Sequence, residues 1–318
     1  MTPSSARLPA SIAELPVQRA RDPQSHAQRR ALYFNTGNAF DLKWPPVPDR
    51  SFVDEPARAL DTATPTGLIA CDRSREMGCA FAATTPLVLA RYARIRRGEA
   101  LPARFEASGV VFYVIAGAGH SRSGDEVVSW RAGDVFVLPG GLTQTHTAMP
   151  HDDAVLWIVT NEPQLAFERL RGPAPGDAPT EPVHFTADEI ERQIDLLYEI
   201  GRGQDIAGSA LIFSSTCQEA IRNVLPTLTV AMNSLPPGAT QRPHRHNSVA
   251  VSLVIQGQGC HSTVDGARKD WSPWATTVTP ATKFHSHHNG GDRRAMFLIV
   301  QDGGLYTHTR ALGFEFAD

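Results

Sequence analysis

The chain has 318 residues, a formal net charge of −3 and a pI near 6.5. Apolar residues make up 42% and charged residues 20%, the balance of an ordinary folded protein rather than a disordered or membrane one. No basic field exists to hold nucleic acid, and no apolar run approaches the roughly 20 residues of a membrane helix, so neither nucleic acid nor a membrane is expected as a partner.

Residues 1–30 mix Pro, Ser, Gln and Arg with few large apolar residues and no apolar leader core. They read as a flexible arm, and a secretory signal is not expected. The cysteines Cys71, Cys79, Cys217 and Cys260 show no zinc or disulfide spacing, which points to a reducing, cytoplasmic setting. Cys260 falls in an alternating run and reads as a small core residue rather than a nucleophile. Residues 31–100 hold a Pro-rich loop, Trp44–Pro48, and a predicted strand, Leu87–Ile95.

An internal repeat organises the rest. Gly109–Gly119 reads GVVFYVIAGAG and Val249–Gly259 reads VAVSLVIQGQG. Each is followed by a turn and strand, RAGDVFVLPGG (Arg131–Gly141) and WSPWATTVTPAT (Trp271–Thr282). Each copy closes on an apolar strand, AVLWIVTN (Ala154–Asn161) and AMFLIVQD (Ala295–Asp302). The offset is about 140 residues, and short strands punctuated by Gly and Pro predict two β-barrels in tandem. The first is expected over 31–162 and the second over 209–318, with a linker over 163–208. In that linker Thr186-Ala187-Asp188-Glu189 matches a capping box. Ile190, Ile194, Leu197 and Ile200 then follow at helical spacing and Gly201 ends the run, predicting one amphipathic helix.

The second copy carries the chemistry. Gly238-x5-His244-x-His246 puts two imidazoles on one face of a strand, because alternate residues point the same way. Pro280-x-Thr282-x-x-His285-x3-Asn289 brings a third from another strand. Three neutral nitrogens suit a divalent transition metal such as Fe, Mn, Ni, Cu or Zn.

These residues resemble the two signature motifs of the cupin superfamily: Gly238, His244, His246, Gly257, Pro280, His285 and Asn289 all match. The resemblance implies an all-β bicupin, two double-stranded β-helix (jelly-roll) barrels with a few short helices. Two departures stand out. The motif's glutamate ligand would fall at Ala250 or Val251, and no Asp or Glu occurs between His246 and Asp265. Trp274 and Thr282 replace two motif glycines. Three histidines without a carboxylate leave metal positions open, which suits an oxygenase better than a structural role.

Within the superfamily, HRHNSVAVSLVIQGQG (His244–Gly259) and FHSHHN (Phe284–Asn289) look like the gentisate 1,2-dioxygenase group, with its salicylate and hydroxynaphthoate relatives. That resemblance implies Fe(II), or another divalent metal, on His244, His246 and His285. It also implies an aromatic acid and dioxygen as substrates, and a homo-oligomer. In that group the iron commonly sits in the N-terminal barrel. Here an offset of 140 puts Arg104 and Glu106 in the first two ligand positions, and one of 141 puts Gln144 at the third. The first barrel is therefore expected to lack the triad, with an internal Arg104–Glu106 ion pair filling the vacancy.

Neighbouring residues read two ways. His287 is either a proton carrier beside the metal or an ordinary barrel histidine, and His288 faces outward. Arg242 shares the ligands' parity and could clamp a substrate carboxylate, or simply be solvated. Gln256 shares inward parity and could hydrogen-bond substrate. Arg245, Arg293 and Arg294 read as solvated, and Trp271 and Trp274 as pocket-mouth or core aromatics. His146 aligns with His287 and reads as structural. The rival functions are another three-histidine cupin oxygenase (of a β-dicarbonyl or a thiol), a metal-dependent isomerase or lyase, and a non-enzymatic sensor or storage protein.

Overall fold

The structure is a computed structural model that describes residues 9–201 and 209–317. The expected linker end at 208 therefore lies outside the described residues. The chain divides into two compact units, Met1–Pro46 and Val47–Asp318. In the first, Ile12–Glu14 forms a 3-10 turn, His26–Arg30 a short helix, and Gln18 bridges to Tyr33.

The second unit contains both barrels, each a six-stranded sheet facing a smaller one. The first barrel's large sheet runs Val183–Phe185, Val135–Pro139, Gly109–Ala116, Ala154–Thr160, Leu89–Ile95, Gly67–Ala70. The second's runs Ser51–Phe52, Thr276–Thr279, Ala250–Gln256, Ala295–Gln301, Thr229–Leu235, Ser209–Phe213. Their four central strands follow one another in the same order, as a duplicated jelly roll requires.

Continuous apolar runs, rather than alternating ones, are explained by burial on both faces. Outer-face residues of the two large sheets merge into one cluster: Tyr92, Val111 and Trp157 meet Val230, Val251 and Leu298. Polar bonds lock this junction. Thr276, fully buried, faces the Tyr92 hydroxyl at 2.7 Å and accepts from Trp157 Nε1 at 2.9 Å. Trp274 packs here, with its ring 6.3 Å from Tyr113.

The inner faces differ. The first barrel is filled by Phe105, Phe112, Phe136 and Leu156, with Phe112 and Phe136 stacked at 4.4 Å. Among the described residues the second has a smaller interior cluster of Leu235, Cys260 and Ala295, and a cavity opens beside it.

The predicted helix forms over Ala187–Ile200, with Ile190 and Ile194 buried. Its N-terminus departs from the capping box, because Thr186 makes no side-chain cap bond. Asp134 accepts from Ala187 N at 2.8 Å instead, and also faces His184 Nε2 at 2.9 Å. Arg294, expected in solvent, pairs with Asp195 of this helix at 2.6 Å and with Glu191. Among the described residues no helix is long and apolar enough to cross a membrane.

Trp274 and Thr282, the residues standing at motif glycines, adopt φ values of 63° and 66°. The left-handed turns are thus kept without glycine, at a steric cost. Thr282 is exposed, so little packing is at stake there. Thr282→Gly should stabilise the protein by about 0.5–1 kcal/mol, read as a higher melting temperature; a lower one would mean that the turn is unstrained. Thr276→Val strands the buried Trp157 N–H and should cost about 1–3 kcal/mol. A melting temperature unchanged by that substitution would remove Thr276 from the junction's supports.

Candidate metal centre

His244 and His246 lie on the short strand His244–His246 and are both buried, while Arg245 between them turns outward to pair with Glu315 at 2.6 Å. His285 stands directly opposite His244 across an antiparallel ladder. One ring nitrogen from each of the three histidines lies within 4.8 Å of the others, the single such group among the described residues.

Hydrogen bonds select which nitrogen. Nδ1 faces a backbone carbonyl in each ring: Arg242 O at 3.0 Å for His244, Ser248 O at 2.8 Å for His246, Lys283 O at 2.9 Å for His285. A carbonyl oxygen only accepts, so each Nδ1 carries the proton and donates it. Each Nε2 is left with its lone pair. Gln301 Nε2 approaches His246 Nε2 at 3.2 Å, a donor meeting that lone pair. Burial holds the His285 pKa at about 4 and also lowers His244 and His246, against the opposing pull of their carbonyl partners. Three neutral, oriented, borderline-soft donors fit a divalent transition metal.

The triad opens on a cavity of about 320 Å³. Among the described residues its wall holds histidines, neutral polar side chains such as Asn233, Ser252 and Gln241, and apolar ones such as Ile299 and Phe314, but no charged group. Ala250, where the motif's glutamate would fall, lines the wall directly opposite Gln301. Phe314 lies on the strand Phe314–Phe316, beside His246 in register, with its ring 5.2 Å from that of His244. Asn247 fastens this strand's approach by accepting from Gly313 N at 2.9 Å and donating to Ala311 O at 2.6 Å. A larger, more open hollow of about 780 Å³ beside Glu181 and Arg222 shares no residue with the triad.

His287 points inward two residues beyond His285, with the rings 5.9 Å apart. Its Nδ1 lies 2.8 Å from Ser262 Oγ, and that oxygen accepts from Trp271 Nε1 at 2.7 Å. Burial holds its pKa well below the usual histidine range. His288 faces outward as expected, stacked on His261 at 4.5 Å. Asn289 is buried and structural, donating to Leu235 O at 2.9 Å and Arg293 O at 2.8 Å.

Two expected substrate contacts are not on the cavity wall. Arg242 is exposed, its guanidinium 4.5 Å above Phe316. Gln256 lies beyond a register shift after Val254, and the bulge carries it away from the inward row.

The first barrel repeats this architecture without the ligands. Trp130 Nε1 donates to Ser121 Oγ at 2.8 Å, which lies 2.7 Å from His146 Nδ1. This copies the Trp271, Ser262, His287 chain at a constant offset of 141. Ladder pairing agrees, with Ala103 opposite Gln144 as His244 is opposite His285. The triad positions are therefore Ala103, Phe105 and Gln144, and the offset of 140 at the first two is corrected. Arg104 and Glu106 do pair, at 3.0 Å, but on the surface rather than inside. Phe105 fills the interior in their place.

Residues 231–301 match the family model described as a cupin domain. In fold the chain is a bicupin, with a cupin domain as its second barrel. Among solved structures it is similar to salicylate 1,2-dioxygenase from Pseudaminobacter salicylatoxidans, with TM-score 0.73 and 12% identity, covering 89% of this chain and 92% of that one. Among curated proteins it is 33% identical over 125 residues to gentisate 1,2-dioxygenase of Ralstonia sp, 39% of this chain and 31% of that protein. It is 29% identical over 92 residues to 5-nitrosalicylic acid 1,2-dioxygenase of Bradyrhizobium sp, 29% of this chain and 44% of that protein. These matches thus span less than half the length of either curated relative.

The buried imidazoles give a pH prediction. In the unfolded chain they protonate below about pH 6.5, whereas in the folded apoprotein His285 and His146 stay neutral to about 4. The unfolded state binds more protons across that window, so stability should fall as pH drops through it. Asp302, raised by burial to about 6, has the opposite sign: it favours the folded state as pH falls toward 3.8. One carboxyl set against several histidines leaves a net loss. The melting temperature of the apoprotein should decline from pH 6.5 to 4.5, and excess Zn(II) should move the decline to lower pH. A flat or rising profile would contradict neutral buried imidazoles.

Proposed function

We propose that the protein is an Fe(II)-dependent dioxygenase that cleaves the ring of a hydroxylated aromatic acid of the gentisate or salicylate kind. The observation that carries this reading is the convergence of three Nε2 lone pairs, with no carboxylate, on a cavity of about 320 Å³. The names of its relatives point the same way. His244, His246 and His285 would hold the metal. When bound, Fe(II) supplies open coordination positions for a chelating phenol–carboxylate pair and for dioxygen, and electrons for the attack.

The chain's own groups do the positioning. The backbone carbonyls of Arg242, Ser248 and Lys283 fix the ligand rings. Trp271 donates into Ser262 Oγ, so the serine hydroxyl is free to donate to His287 Nδ1. His287 then carries its proton on Nε2 and presents a neutral donor to an oxyanion in the cavity. Ile299 and Phe314 offer apolar surface to the ring. Gln301, beside His246, can hydrogen-bond the chelated end. The first barrel, filled by aromatics, serves as scaffold, and the setting we propose is a cytoplasmic homo-oligomer.

The test is anaerobic reconstitution with Fe(II), then oxygen uptake over gentisate, salicylates, hydroxynaphthoates, β-diketones and thiols. Uptake with an aromatic acid is expected, falling to background in His244→Ala. Fully iron-loaded protein that consumes no oxygen with any of them would sink the reading in favour of a non-oxidative enzyme or a sensor. Uptake with a β-diketone alone would assign the other three-histidine oxygenase chemistry.

A further inference from the structure

One side chain already touches a ligand nitrogen. Gln301 is half-buried, ends the strand Ala295–Gln301 and lies on the cavity wall with the triad. Its backbone is laddered on both sides, to Thr229 and to Ala250, so the side chain starts from a fixed point. Its amide Nε2 lies 3.2 Å from His246 Nε2. That is the ring nitrogen left free for a metal, because the His246 proton sits on Nδ1 against Ser248 O. Among the described residues this is the one hydrogen bond the amide makes.

That bond cannot survive metal binding, because the ion takes the lone pair that accepts it. A carboxamide has nearly the same shape either way round, and a half-turn exchanges its donor for its acceptor. The same half-turn puts Oε1 where Nε2 stands, 3.2 Å from His246 Nε2. Two donors about 2.1 Å from one ion lie about 3.0 Å apart at a right angle and about 3.4 Å apart in a tetrahedron. The spacing of Gln301 from His246 falls between those values. On the neighbouring strand Ala250, paired with Gln301 in register, has only a methyl group and offers no donor of its own.

We propose that Gln301 is a fourth metal ligand, binding through Oε1 from the strand beside the one on which the motif carries its glutamate. The amide is neutral, so the ion keeps its double charge while one more position is filled. A neutral oxygen holds a dication less strongly than a carboxylate does. An anionic chelator can therefore displace it, and the freed amide stays beside the bound end. Ligation by Gln301 rests on the metal centre alone and concerns the site before any substrate arrives, so it stands apart from the ring-cleavage reading.

Metal affinity tests this without turnover, because the two roles open to Gln301 have opposite signs. Zn(II) and Co(II) affinities are measured by competition with a chromophoric chelator on the native apoprotein, Gln301→Leu and Gln301→Glu. A side chain that only donates to the His246 lone pair holds the metal off, so its removal tightens binding. Loss of a ligand weakens it. Gln301→Leu is expected to bind both metals on the order of tenfold more weakly than native protein. Gln301→Glu is expected to bind them on the order of tenfold more tightly, since a carboxylate adds charge to the same donor position. A crystal of the native protein loaded with Zn(II), free of any added acid, reads the contact directly: Oε1 should stand about 2.0–2.2 Å from the ion. Unchanged or tighter binding in the leucine variant overturns the ligand, and so does a glutamate variant no tighter than native. A Gln301 side chain more than about 3 Å from the bound ion, beyond any coordination bond, overturns it even if the leucine variant fails to fold. All three of these outcomes leave ring cleavage standing. Failure of the native protein to bind either metal overturns the metal centre, and the ring-cleavage reading along with the ligand.

Discussion

Strand alternation under burial on both faces is the constraint on which this structure depends. Each six-stranded sheet turns one face to its barrel interior and the other to the neighbouring barrel. A slip of one residue would send Val230 and Met232 inward and Thr229, Ala231 and Asn233 into the apolar junction. Register is strongly specified under such conditions. The three imidazoles converge because the ladders around them cannot slide, and Thr276, gripped from the other barrel by Tyr92 and Trp157, belongs to the same lock.

The duplication separates what the fold needs from what the site needs. Both barrels carry the Trp–Ser–His chain at an offset of 141, so that chain is part of the fold. What differs is the space in front of it. His146 packs against Phe112 at 5.0 Å, its Nε2 buried and unpartnered, whereas His287 looks onto an open cavity. Substituting Ala103, Phe105 and Gln144 for three histidines removes the ligands, and the phenyl rings fill the void. Any role for His287 beyond architecture therefore comes from its surroundings.

Much of this was legible in the sequence. The repeat gave two barrels, and His-x-His with a distant histidine gave the group that the ladders bring together. The first rests on self-similar apolar runs punctuated by Gly and Pro and the second on period-two alternation, both local properties. The misplaced features depend on non-local or sub-residue detail. One residue separates offsets of 140 and 141, enough to exchange surface Arg104 and Glu106 for interior Ala103 and Phe105. A bulge after Val254 undid the parity argument for Gln256. Gln241 and Phe314 are brought to the cavity by a loop and a distant strand, whereas Gln301 ends the predicted strand Ala295–Asp302, in the same alternating row as Ile299. The Ser121, Trp130, His146 set, repeated at Ser262, Trp271, His287, also left a signal, one that closer comparison of the copies brings out.

The missing glutamate and the uncharged wall are connected. A divalent ion on three neutral imidazoles keeps its full double charge, whereas a carboxylate at Ala250 would cancel half of it. On the proposed reading, a phenolate and a carboxylate bring two negative charges to that ion, so the charges balance at the metal itself. An arginine clamp on the wall is then unnecessary, and Arg242 is free to lie over Phe316 outside. Recognition of the rest of the ring falls to the neutral polar and apolar groups of the wall. A glutamate introduced at Ala250 would disturb this balance by weakening the hold on a dianionic chelator even as it tightened the hold on the metal.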